Sequence, residues 1–277
     1  MSPLNHSILL LGESNVGKTH YGAQLLKRLI VGHDSSLRMK GQATNLGPFE
    51  QAMESLADGT ATKHTPADTY VESTWPVINA EGRSAQLIWP DYGGEQVRNI
   101  ITDHRISGPW GDRVNEATDW LLLIRLHTLK GEADVFSRPL ADLGNTSSTQ
   151  KEHKPSDQAR LIELLQMLLH ISSASRDNPI KRPSLTILLT CWDEIESNNE
   201  PPAALRASLP MFCDFIESVW EQPMIMGLSA LGRPLAEDKT DPDYAAHGPE
   251  SFGYIVQPDG TKDPDITWPI TRLLAEA

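Results

Sequence analysis

Cysteine is nearly absent from this chain: Cys191 and Cys213 are the only two in 277 residues. Two thiols make no disulfide framework, and they suit a reducing compartment, so a cytoplasmic location is expected. Long apolar runs are missing too. No segment approaches the ~20 residues that a bilayer span needs. The N-terminal stretch MSPLNHSILLLGESN lacks the basic start and cleavage site of a secretory leader, and no lipidation motif is visible. Blocks of Lys and Arg are absent, and the formal net charge is −13. Such a surface repels phosphate backbones, which argues against broad binding to nucleic acid or to anionic membranes. The nine histidines are scattered without H-E-x-x-H spacing, and no C-x-x-C is present, so a structural metal is not expected. What is present is ordinary for a globular core: 39% hydrophobic and 22% charged residues. The length favours one enlarged domain over residues 1–277 rather than two equal ones, and no internal repeat appears.

Hydrophobic patterning divides the chain into alternating elements. Residues 6–11 (HSILLL) read as a buried strand stopped by Gly12, and residues 19–31 have helical apolar spacing. Residues 33–47 read as loop, and 48–57 as a short extra helix opening at a proline. Residues 69–78 and 84–89, joined by the turn sequence NAEG, predict an antiparallel hairpin. Buried strands follow at 120–126, 184–190 and 224–228, with helices at 159–171 and, broken at Pro210, at 203–220. Residues 130–155 are polar and predict an exposed insertion. From about residue 232 the chain is rich in Gly, Pro and Asp, and it closes on WPITRLLAEA, a candidate docked helix. The order implies an α/β fold: a mostly parallel sheet with helices on both faces and one antiparallel edge strand.

Residues 12–19 (GESNVGKT) fit G-x-x-x-x-G-K-[ST] between a predicted strand and a predicted helix. In that context Gly12, Glu13, Ser14, Asn15, Val16 and Gly17 form a loop whose N–H groups turn toward phosphate oxygens, at a helix N-terminus that favours anions. Lys18 reaches the β- and γ-phosphates, the Thr19 hydroxyl meets Mg²⁺, and His20 sits in the helix's first turn. Asp91-Tyr-Gly-Gly94 fits D-x-x-G after the hairpin, where Asp91 can hold Mg²⁺ through water and the Gly94 N–H can sense a γ-phosphate. Residues 190–193 (Thr190, Cys191, Trp192, Asp193) follow an apolar strand. A carboxylate at Asp193 can accept both ring-edge protons of guanine, and adenine offers no such pair. Ser229, Ala230 and Leu231 follow the next strand, where a small residue lets a backbone N–H approach the guanine O6.

These four motifs, in this order and each after a strand, resemble the Ras-like GTPases of the translation-factor-related P-loop class over about residues 6–231. The late stretch PDGTKDPDITWPI is similar to the bacterial double-GTPase group associated with conflict systems. The resemblance implies a P-loop NTPase three-layer sandwich that binds GTP or GDP with Mg²⁺ and hydrolyses GTP; with no evident arginine finger in the sequence, slow turnover and a protein effector or activating partner are expected. Thr19 and a switch threonine would hold the metal directly. Residues 60–69 (TATKHTPADT) offer four threonines, of which Thr65 is chosen because it precedes Pro66 shortly before the hairpin.

Two departures stand out. Cys191 replaces the lysine whose stem in that class packs on the base and braces the phosphate loop, and it is too short to do both, so Trp192 is the candidate cover for part of the base. After D-x-x-G the water-orienting glutamine is displaced: Glu95 stands there and Gln96 follows, so either is a candidate to position water. Two rivals remain open. Asp193-Glu194 at a strand end resembles the Walker B pair of an ATPase, and Glu95 with Cys191 would also suit a nucleotide-loaded scaffold that does not hydrolyse. The oligomeric state is not legible.

Overall fold

The structure, a computed structural model, describes residues 6–32, 35–62, 71–91, 108–129, 156–172, 178–195 and 200–275. Among them lie β1 (His6–Gly12), α1 (Lys18–Val31), β2 (Leu37–Met39), α2 (Gly47–Ala57), β3 (Val71–Asn79) and β4 (Ser84–Asp91). There follow α3 (Gly108–Glu116), β5 (Asp119–Ile124), α4 (Asp157–Ile171), β6 (Ser184–Thr190), α5 (Pro201–Ser208), α6 (Pro210–Val219) and β7 (Met224–Ser229). The extension adds α7 (Pro242–His247), β8 (Tyr254–Val256), β9 (Lys262–Asp263) and α8 (Trp268–Ala275). No helix among the described residues is long and apolar enough to cross a membrane.

The strands form one sheet in the order β2-β3-β4-β1-β5-β6-β7-β8-β9. Its centre, β4-β1-β5-β6-β7, is parallel, and β3 runs antiparallel to β4 as the hairpin predicted. Parallel strands are covered on both faces, so their side chains must alternate between two cores. They do. Leu9 and Leu11 of β1, with Trp120, Leu122 and Ile124 of β5, join α3, α4, α5 and α6 on one face. Ile8 and Leu10, with Leu121 and Leu123, join α1, α2 and α8 on the other. Fully burying one such side chain is worth ~1.5–3 kcal/mol, so a one-residue slip of β1 is strongly opposed.

Three short strands escape the sequence pattern. β2 lies inside the stretch read as loop, and β8 and β9 extend the sheet beyond β7 with antiparallel pairing. Each holds only two or three residues, too few for period-two alternation to register. The predicted closing helix is α8, with Ile270, Leu273 and Leu274 buried.

The extension is tied across α1. Arg28 is 3% exposed and donates to the carbonyls of Phe252 and Pro264, each at 2.7 Å. The Tyr21 hydroxyl donates to the Ile266 carbonyl at 3.2 Å, and the Ala61 N–H to the Ala236 carbonyl at 2.9 Å. Where α1 crosses α2, Phe49 is held edge-on by Trp75 and Trp89 at ring separations of 5.0 and 5.5 Å. A Cβ on Gly22 would stand 2.3 Å from the Phe49 ring. In an open helix Gly→Ala stabilises by ~1 kcal/mol. Here the ring cannot yield, and overpacking costs ~1–3 kcal/mol. Gly22→Ala is therefore expected to lower the urea midpoint, and an unchanged or raised midpoint would show that the crossing is loosely packed.

Candidate functional site

The register brings the motif loops to one edge of the sheet. Gly12 of β1 is level with Leu123 of β5, Ile124 with Leu189 of β6, and Thr190 with Leu228 of β7. Leu9 pairs with Ile88, so counting on along parallel strands brings Asp91 level with Gly12. The loops after β4, β1, β5, β6 and β7 thus leave side by side from the carboxyl ends of the strands, where open α/β sheets form their crevices.

The loop after β1 runs through residues 13–17 into α1. Asn15 (φ 64°) and Gly17 (φ 80°) are left-handed, and this curls the backbone so that consecutive N–H groups face one side. Gly17 caps α1 with no side-chain hydrogen bond, so the helix's positive end opens onto the loop. The Lys18 ammonium lies across the mouth, donating to the carbonyls of Gly12 at 2.9 Å and Glu13 at 2.6 Å. Val16 is buried, and Ser14, Lys18, Thr19 and His20 are half-buried.

Two arginines that the sequence did not single out grip this loop from either side. Arg160 of α4 forks onto both oxygens of Glu13, at 2.6 and 2.8 Å, and also pairs with Asp157. Arg125, the residue after β5, holds both oxygens of Glu194, through its Nε at 2.9 Å and through one terminal nitrogen, and donates from the other to the Asn15 carbonyl at 3.2 Å. The hydrogen bonds to Glu194 hold Arg125 firmly in its charged form.

The loop after β6 turns on Cys191, itself left-handed at φ 52°, into a 3-10 turn over Trp192–Glu194. The Cys191 sulfur lies 3.9 Å from where a Cβ on Gly17 would stand, so this loop abuts the phosphate loop. Burial, opposed in part by Arg125, pushes the Cys191 thiol up to about 11, which keeps it protonated at neutral pH. Trp192 does not serve as a cover for a base: it is 5% exposed, with its ring against Gly227 in the core. Asp193 accepts from the Ser229 hydroxyl at 2.5 Å, and that hydroxyl in turn accepts from the Gly232 N–H at 3.0 Å. The buried Thr190 hydroxyl has no hydrogen-bond partner among the described residues, an orphaned polar atom in the same loop. The Ala230 carbonyl accepts from Gln24 at 3.0 Å, and Leu231 packs with Tyr244 beside α2. Thr65, Gly94, Glu95 and Gln96 lie outside the described residues, as does the side chain of Asp91.

His20 reaches the chain that leaves α2. Its Nε2 accepts from the Thr62 N–H at 3.2 Å and lies 2.9 Å from the Thr62 hydroxyl. Burial, assisted by the nearby Arg125 charge, lowers its pKa to about 4. The folded protein then holds a neutral imidazole while the unfolded chain takes up a proton near pH 6.5, so stability is full above that pH and falls as pH drops toward 4. Allowing for partial exposure, the loss by pH 5 is on the order of 1–2 kcal/mol. Urea unfolding at pH 7 and pH 5 checks this. The pH difference is expected to shrink by that amount in His20→Gln, and equal pH differences in the two proteins would refute it.

No curated protein matches the chain. Similar solved structures include the signal recognition particle receptor SRb-GTP/SRX complex from Chaetomium thermophilum, at 13% identity and TM-score 0.42 over 84% of this chain and 94% of that one. The GTPase-like domain of S. cerevisiae Ski7, bound to GTP, is similar at 14% identity and TM-score 0.40 over 88% of this chain, which spans 49% of the Ski7 chain. Methanosarcina barkeri Roco2, bound to GDP, is similar at 15% identity and TM-score 0.31 over 83% of this chain and 45% of that one. The double-GTPase 1 family model matches residues 9–273, nearly the whole sequence, and the chain belongs to that family of P-loop GTPases.

Proposed function

We propose that this protein is a Mg²⁺-dependent switch that binds GTP and hydrolyses it slowly to GDP, built on one domain that includes the extension after residue 232. The observation that carries this reading is the shared edge: the phosphate loop and the Asp193 loop abut at Gly17 and Cys191, at the carboxyl ends of β1 and β6. A nucleotide lying along that edge places its phosphates over residues 13–19 and its base against Asp193. Lys18, the loop amides and the α1 terminus stabilise phosphate charge, the main task in phosphoryl transfer. Asp193, held by Ser229, would meet the guanine edge protons, and the orphaned Thr190 hydroxyl has a partner to gain from a ligand there. Ala230 offers its N–H to O6, and Leu231 closes the turn.

The donor set suits Mg²⁺, a hard cation that takes oxygen ligands: Thr19 and Thr65 directly and Asp91 through water. Bound there, the metal would neutralise charge between the β- and γ-phosphates. Gly94 would sense the γ-phosphate, and Glu95 or Gln96 would orient the attacking water. Arg125 and Arg160, the arginines that reach the phosphate loop among the described residues, are both committed to carboxylates. Neither stands ready to stabilise the transition state. Slow intrinsic turnover and an activating or effector partner follow, and a bacterial conflict or signalling system is the context we favour. Two free thiols suit a cytoplasmic location.

The ATPase rival needs Glu194 as the base that activates water. Both of its oxygens are engaged by Arg125, which favours the guanine reading. Nucleotide turnover by Lys18→Ala and Asp193→Asn decides between them. Lys18→Ala is expected to weaken triphosphate binding at least ~10-fold, the loss of charged hydrogen bonds. Asp193→Asn is expected to lose its preference for GTP over ATP. Loss of Mg²⁺-dependent ATP turnover in Asp193→Asn would instead establish the rival, and GTP retained unhydrolysed by the unaltered protein would make it a scaffold.

A further inference from the structure

We propose that Arg125 is the brace that locks the phosphate loop to the base-reading loop and thereby sets how long a nucleotide stays bound. This inference rests on the guanine-nucleotide reading of the edge. The sheet order supplies the reason for its position. β5 lies between β1 and β6, so the first residue past β5 emerges between the loops that follow those two strands. Arg125 is that residue, and its fork is used in both directions. One side takes both oxygens of Glu194, next to Asp193, and the other donates to the carbonyl of Asn15, the exposed left-handed residue at the crown of the phosphate loop.

The Cys191 sulfur lies beside Gly17 of the phosphate loop, and a neutral thiol is a far weaker hydrogen-bond donor to a carbonyl than a guanidinium. Arg160 grips the loop from the α4 side and reaches Glu13 and Asp157, not the base loop. Arg125 joins Asn15 to the loop carrying Asp193.

The consequence is specific. A bound nucleotide spans both loops, so it leaves when they move apart. A fixed Asn15–Arg125–Glu194 bridge holds their separation and raises the barrier to release. The bridge is part-exposed, with about a quarter of each charged side chain open to solvent, so its share of global stability is small. Residence time and melting temperature therefore separate. Lysine, a point charge on a flexible stem, cannot span Glu194 and Asn15 together, so Arg125→Lys should recover only part of the effect.

The test uses the full chain. Release of a fluorescent GDP analogue is timed for the unaltered protein, Arg125→Ala, Arg125→Lys and Glu194→Gln, together with thermal midpoints. Hydrogen exchange of residues 12–18 and 191–195 is read without nucleotide. The brace predicts release at least tenfold faster in Arg125→Ala, intermediate rates in Arg125→Lys and Glu194→Gln, midpoints within a few degrees, and faster exchange confined to the two loops. Release within twofold of the unaltered protein with unchanged loop exchange overturns it. So does exchange that rises along the whole chain with a fallen midpoint, which would make Arg125 a general structural contact. If the unaltered protein binds no guanine nucleotide, the functional reading fails by itself, and the nucleotide-free exchange still decides whether the brace exists.

Discussion

A strand buried on both faces cannot release a polar group along its length, only at its ends. That constraint organises this molecule. The central strands are apolar on both sides, with Ile8 to Leu11 and Trp120 to Ile124 almost wholly shielded from solvent. Because these strands run parallel and in register, their carboxyl ends fall on one edge, and the loops that carry the candidate nucleotide motifs leave there. The phosphate loop, the end of β4 at Asp91, Arg125, the Asp193 loop and Ser229 are brought together by strand pairing, although well over 200 residues separate the first from the last.

Electrostatics at that edge run against the rest of the surface. The chain carries a formal net charge of −13, and a polyphosphate ligand is itself anionic. The local answer is the open N-terminus of α1, the curled amides of residues 13–17 and Lys18. Carboxylates that would oppose it are neutralised in place: Glu13 by Arg160 and Glu194 by Arg125. Asp193 accepts from Ser229, a neutral donor that orients the carboxylate without cancelling its charge. A carboxylate held by a neutral donor suits the recognition of two ring-edge protons that we propose.

Much of this was legible in the sequence because it is local. GESNVGKT specifies its own geometry: glycine at the left-handed Gly17, lysine next and the helix after. The apolar runs are long enough for strands, and the proline at 210 does divide α5 from α6. What escaped is what depends on contacts distant in sequence. The short strands β2, β8 and β9 exist because neighbouring strands offer them partners. Trp192 read as a candidate cover for part of the base, yet the space over Gly227 draws it into the core. Arg125 and Arg160 look like ordinary charges after a strand and on a helix. Only the order of strands in the sheet reveals that one of them stands between the phosphate loop and the base loop.

The central claim is that this edge holds a guanine nucleotide, with Asp193 choosing the base. Equilibrium titration of the full chain with GDP and with ADP, in the presence of Mg²⁺, tests it most directly. A carboxylate meeting two edge protons on one base and none on the other predicts GDP binding at least ~10-fold tighter, the equivalent of ~1.4 kcal/mol. ADP binding as tightly as GDP, or more tightly, would contradict the account.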